Sequence, residues 1–225
     1  MRDPGGRPLR PAPSMLAIMS DDFDLADWRR RVFSLYAEAR SASADGEAIL
    51  TTFREAKDRL FASHPSSPLS PDQRTSFDGL AYWPYDPALR FSVPLETDPG
   101  AVHAALPASS GNVPAATRIG RLTMPLEHGP IRLSLYRLAG YGGGLFLPFR
   151  DATSGNETYG GGRYLLDTVK GADLGGSGQT LIVDFNYAYH PSCAYDPAWS
   201  CPLAPSENWL SMPIRAGERL PAVAG

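Results

Sequence analysis

The sequence predicts an α+β fold that is mainly antiparallel β, with an N-terminal helical hairpin packed on a strongly curved, barrel-like meandering sheet. Three observations carry this expectation. The apolar period changes from helical to alternating beyond Gly79. The 225 residues include 22 Gly and 22 Pro, a composition that favours turns and short strands over an all-helical chain. The alternating segments follow one another through short Gly-containing links, as in a meander.

The elements follow in order. Residues 1–21 begin with a Pro, Gly and Arg-rich stretch that has nothing to bury, and are expected to be a disordered leader. Residues 22–78 hold the helices. From Asp24, placed as an N-cap, Leu25, Trp28, Val32, Leu35, Tyr36 and Ala39 recur at helical spacing over about four turns. After Asp45-Gly46, Ile49, Phe53, Ala56, Leu60 and Phe61 form the apolar face of a second helix, with Lys57, Asp58 and Arg59 between them. The short link makes the two an antiparallel pair with Trp28, Phe53 and Phe61 in its core. His64-Pro65 stops the second helix, because a proline disfavours helical backbone in the residue before it. Ser70-Pro71 opens a short third helix with an N-cap and a first-turn proline.

Residues 79–219 are expected to form the sheet and a Cys-containing C-terminal loop, in one folded unit with the helices, followed by a flexible tail at 220–225. Strands are predicted at Phe91 to Leu95, Leu122 to Leu126, Ile131 to Leu135, Leu145 to Phe149, Tyr164 to Val169 and Thr180 to Tyr187. The stretch from Thr97 to Thr117, rich in Ala, Pro, Gly and Ser, reads as a long surface connection.

Charge narrows the partners. A net charge of -3 with scattered basic residues lacks the footprint of a nucleic-acid or anionic-membrane binder. No apolar run approaches the roughly 20 residues of a membrane span, and Met1 to Pro13 lacks the apolar core of a secretory signal. The cytoplasm is the expected compartment.

Polar side chains concentrate where the fold does not require them. Phe149 to Tyr164 places Arg150, Asp151, Thr158, Tyr159 and Arg163 among glycines that let a backbone approach a ligand. There Arg163 is suited to clamp an anion, or, on the plainer reading, to pair with Asp151. On the last strand, alternation puts Asp184, Asn186 and Ala188 on one face, either lining a lumen or facing water. His190, Cys193 and Cys201 raise zinc, but two cysteines with seven residues between them match no common zinc spacing. A disulfide or proximal dithiol and buried structural cysteines remain open beside it.

His64-Pro65-x-Ser67-Pro68-Leu69, Tyr85-Asp86-Pro87, Pro148-Phe149-x-Asp151-x-Thr153-x-Gly155 with Thr158-Tyr159-Gly160-Gly161-Gly162-Arg163-Tyr164, Asp184-Phe185-Asn186-x-Ala188-Tyr189 and Cys193-Ala194-Tyr195 to Cys201-Pro202-Leu203 and Glu207-Asn208 resemble the DUF1684 family of prokaryotic proteins of unknown function. The resemblance runs from the first helix to Glu218. It implies that Asp151, Thr158, Tyr159, Arg163, Asp184, Asn186, Cys193, Cys201, Glu207 and Asn208 belong to the family pattern, and it brings no substrate or cofactor. His190 stands where the family has asparagine at least as often.

Together these readings predict a polar pocket at one end of the sheet. Asp184 and Asp151 would move protons, while Arg163, Thr158, Tyr159, Asn186, Tyr189 and Glu207 would hold a small, anionic ligand. Such a protein would be a cofactor-free hydrolase, isomerase or cyclase, with no metal. Its alternatives are a non-catalytic ligand-binding protein and an interaction module without a pocket.

Overall fold

The computed structural model describes residues 15–42, 46–111, 115–127, 129–140 and 143–221. The first part of the expected leader, Asp45 of the helix link, residues 112–114, His128, Tyr141-Gly142 and the end of the expected tail lie outside these. Helix α1 spans Met15–Ser41, α2 Gly46–Ser63 and α3 Pro71–Thr75. Asp24 lies inside α1 rather than at its N-cap, because no Gly or Pro interrupts helical backbone between Met15 and Ser41. Ser70 caps α3 as read, in a reciprocal box with Gln73.

Among the described residues seven strands follow: β1 (Arg90–Ala104), β2 (Ala116–Met124), β3 (Ile131–Leu138), β4 (Gly144–Phe149), β5 (Arg163–Asp167), β6 (Gly176–Ser177) and β7 (Thr180–Asp184). They form one antiparallel sheet in the order β5-β4-β3-β2-β1-β7-β6. The sheet curls until Tyr164 on β5 exchanges backbone hydrogen bonds of 2.9 and 3.1 Å with Tyr189, just beyond β7. The result is a curled half-barrel.

Two expectations change here. Thr97 to Thr117 is not one long connection: β1 continues to Ala104 and re-pairs with β2 after a register shift between Thr97 and Val102. The Pro99-Gly100 pair sits within this irregularity, where ladder bonding is interrupted anyway. Gly120 on the facing strand is needed for the close approach, since a Cβ there would lie 2.4 Å from the Glu96 carbonyl oxygen. The last strand also stops early. Asp184 accepts the Asn186 N–H at 2.9 Å and turns Phe185–Tyr187 into a 3-10 helix, so Asp184, Asn186 and Ala188 do not share a strand face.

Leu122 faces Leu133 and Met124 faces Ile131 in register, and with Leu135, Leu147, Phe149 and Phe185 they fill the concave core. A second cluster, Tyr36, Leu50, Phe53, Ala172, Leu174 and Tyr187, joins the helical hairpin to the sheet. Every residue of β5 is buried, because both its faces are covered. No described helix is long and apolar enough to cross a membrane.

Candidate functional site

The expected polar residues are buried but form separate networks. Arg163 is 1% exposed. Its guanidinium donates to the carbonyls of Ile214, Ala216 and Glu218 and to Asp151 Oδ2, 3.3 Å away. Asp151 in turn accepts from the Ile214 N–H and the Thr153 hydroxyl, which contacts Thr158 Oγ1 at 2.9 Å. Gly162 permits this packing: at φ 93° its missing Cβ would lie 2.3 Å from the Phe149 carbonyl oxygen. Burial lowers the Arg163 pKa to about 10 against the pull of Asp151, which still leaves the guanidinium charged at neutral pH. The network fastens the C-terminal segment across the sheet, and its carboxylate oxygens are fully engaged.

Asp184 and Asn186 form a second network that shares no hydrogen-bond partner with the first. Asp184 Oδ1 accepts from Asn186 and Oδ2 from Arg90 at 3.0 Å. The Asn186 amide clasps both backbone groups of Asp86, at 2.9 and 2.8 Å. The pair thus holds the chain's entry into β1 against its exit from β7. Glu207 lies elsewhere, accepting from the Tyr136 hydroxyl and from Arg118 at 2.7 Å. The expected pocket, with Asp151 and Arg163 facing Asp184 and Asn186, is therefore not assembled: each carboxylate meets its own cation or amide, as buried charge requires.

Two hollows lie near the hairpin. A wide polar cleft of about 590 Å³ is bordered by Arg40, Tyr85, Arg90, Asp184 and Tyr187. A smaller one of about 140 Å³ lies between α1, α2 and the curled edge of the sheet. Its wall is apolar and aromatic, with Trp28, Val32, Leu35, Tyr36, Phe53, Leu60, Phe61, Tyr189, Tyr195 and Trp199. Among the described residues, the charged ones on that wall are Arg29, Lys57 and Lys170, and no Asp or Glu borders it. Of the expected site residues, Asp184 borders the cleft and Tyr189 and His190 border the cavity; the others border neither.

Behind the cavity wall, Lys57 pairs with the buried carboxylate of Glu218. Glu218 also accepts from the His190 N–H at 2.7 Å and the Tyr195 hydroxyl at 2.8 Å. Burial pushes the Glu218 pKa upward, but Lys57, His190 and these hydrogen bonds prevail and hold it below the usual range. Burial lowers His190 to about 4, so the ring is neutral, and its Nε2 takes the Tyr159 N–H at 3.3 Å. The Tyr189 hydroxyl is buried without a hydrogen-bond partner among the described residues.

Sequence reasoning missed Lys57 and Glu218. A signal existed for Lys57: it stands four residues from both Phe53 and Phe61, which places it on the apolar face of α2. Glu218, in an irregular tail, had none. For zinc, no group of three or more His, Cys, Asp or Glu side chains gathers among the described residues. Cys193 and Cys201 are buried and unbonded.

A comparison with curated proteins finds no match. Among solved structures, the chain is similar to an uncharacterized protein of Haloarcula marismortui determined in solution by NMR. The two share 36% identity over 77% of this chain and 94% of that one, with a TM-score of 0.56. The family model described as "Protein of unknown function (DUF1684)" matches residues 75–219. That span takes in the whole curled sheet, the Arg163 latch and both cysteines, and so the chain belongs to the DUF1684 family.

Proposed function

We propose that this protein binds a small apolar anion, about one aromatic ring in bulk, in the cavity beneath the helical hairpin. The observation that carries this reading is the wall chemistry: an apolar and aromatic lining whose charged members, Arg29, Lys57 and Lys170, are all basic. The volume of about 140 Å³ supports a ligand of that size, since an apolar cavity of roughly 150 Å³ holds benzene. Because Glu218 already pairs with Lys57, the positive charge offered to a ligand falls to Arg29 and Lys170, which also attract the buried Asp167 carboxylate. The reading is of binding without turnover, because the oxygens of Asp151 and Asp184 are committed to other partners.

The test uses the full chain with benzoate as anionic probe and toluene as its neutral counterpart. Saturable thermal stabilisation by benzoate is expected, reaching about 2.7 kcal/mol at a hundredfold excess over Kd. Ala172→Leu, which extends a side chain into the cavity, abolishes it, and Arg29→Gln with Lys170→Gln weakens benzoate more than toluene. Absence of saturable binding by either probe overturns the reading.

A further inference from the structure

We infer that Lys57 captures an aromatic aldehyde in the cavity beneath the hairpin as a reversible, protonated imine, with the Glu218 carboxylate carrying the proton between steps. This rests on the cavity admitting a one-ring ligand, as proposed above, and names the class of ligand the site holds. Lysine is scarce in this chain. The sequence has 21 Lys and Arg, of which two are lysines, Lys57 and Lys170, and both border the cavity. The two kinds of cation differ in what they can do. A guanidinium stays protonated in proteins, whereas an ammonium can give up its proton and become a nucleophile. A chain that carries nearly all its positive charge on arginine thus keeps both its side-chain amines on one apolar wall.

Geometry singles out Lys57 of the two. Its Nζ lies 4.9 Å from the centre of the Tyr189 ring and 5.5 Å from that of Phe61, and both rings belong to the cavity wall. The same Nζ touches Glu218 Oε1. The carboxylate is fixed in this pose, because its second oxygen, Oε2, accepts from the His190 N–H at 2.7 Å and the Tyr195 hydroxyl at 2.8 Å. Oε1 therefore meets the amine as a held base, within reach of a proton that must leave and return. The flat aromatic wall suits a ring that presents its carbonyl to Nζ.

The chemistry balances without an outside reagent. Glu218 takes a proton from the Lys57 ammonium, and the free amine attacks the aldehyde carbon. A C–N bond forms as the carbonyl π bond breaks, and the oxygen takes the proton from Glu218 to give a carbinolamine. The nitrogen then returns a proton to Glu218, and its lone pair expels the hydroxyl, which leaves as water with that proton. The net change turns ammonium and aldehyde into iminium and water, with no electron gained or lost. Nitrogen carries the same charge at both ends, so the iminium inherits the pairing with Glu218. The apolar wall disfavours the water that drives the reverse step.

The experiment incubates the full chain with benzaldehyde, reduces any imine with sodium cyanoborohydride, and locates the benzyl group by peptide mass mapping. One benzyl group per chain is expected, on Lys57, with labelling that saturates as benzaldehyde is raised. Lys57→Arg keeps a cation for Glu218 but has no amine, and should lose the label; Lys170→Arg should retain it. If Lys57→Arg does not fold, the map of the parent chain still decides. Equal labelling of Lys57 and Lys170, or labelling of Lys57 that rises linearly and no faster than in the urea-unfolded chain, overturns the inference. Saturable benzoate binding with Lys57 unlabelled also overturns it, and leaves the anion-binding reading intact. Saturable labelling of Lys57 without benzoate binding supports the imine and overturns the anion instead.

Discussion

Lys57, midway along α2, and Glu218, near the end of the chain, form a buried ion pair that joins the helical hairpin to the C-terminal segment. The Glu218 side chain is 1% exposed and that of Lys57 12%. The ammonium also lies 4.9 Å from the centre of the Tyr189 ring and 5.5 Å from that of Phe61. The pair therefore stands where helix, sheet edge and C-terminal segment meet.

Removing one partner should be worse than removing both. Lys57→Met leaves Glu218 buried without its cation, a change that costs about 3–5 kcal/mol in comparable pairs. Lys57→Met with Glu218→Gln keeps acceptors for the His190 N–H and the Tyr195 hydroxyl without a buried charge. It should recover more than half of that loss in urea denaturation. A double variant as unstable as the single would show that packing, not charge, dominates at this junction.

Arg163 acts as a latch, donating to three carbonyls within the five residues from Ile214 to Glu218. Arg163→Met removes these bonds and strands Asp151, for a loss of about 3–5 kcal/mol. Limited proteolysis should then cut between Leu210 and Leu220 before the sheet, whereas Asp151→Asn, which keeps an acceptor for Ile214, should leave that segment protected.

The helices and most strands were legible because their periods differ and glycines separate them. The pairing of Arg163 with Asp151 was legible too, as the plainer of two readings. What escaped was the behaviour of short polar side chains toward backbone. The alternation of Val183, Phe185 and Tyr187 continues a strand pattern, yet Asp184 captures the Asn186 N–H and ends the strand. Convergence across the fold, such as Lys57 with Glu218, depends on how an irregular tail returns to a helix. No local pattern encodes that return.

Asn208 offers a sharper test of the same principle. β3 and β4 pair from Tyr136 to Leu138 and then diverge. The Asn208 amide fills the gap, accepting the Ser134 N–H at 2.8 Å and donating to the carbonyls of Ser134 and Pro148 at 3.0 and 2.7 Å. Asn208→Ala should cost about 3 kcal/mol, since each buried group left unsatisfied costs about 1–3 kcal/mol. The isosteric Asn208→Asp should cost more, because it turns a carboxylate toward two carbonyl oxygens. Equal losses in chemical denaturation would assign the effect to the lost amide donors alone, with no added cost from the charge.

His190 should make the protein acid-sensitive well above the carboxylate range. Burial holds its folded pKa at about 4, opposed by Glu218 and assisted by Arg163 and Lys57, while in the unfolded chain it titrates at about 6.5. Between these values the unfolded chain binds a proton that the folded chain refuses, so stability is full above pH 6.5 and falls as pH drops toward 4. The shift corresponds to about 3 kcal/mol by pH 4. Glu218, with its folded pKa depressed, adds a loss only at lower pH, as that carboxylate begins to take up a proton. His190→Gln keeps an acceptor near the Tyr159 N–H but cannot titrate. Its stability should therefore change little between pH 7 and 5 in urea titrations, while the parent chain loses stability over the same interval. Parallel pH profiles for the two would mean that His190 is protonated in the folded chain, contrary to its burial.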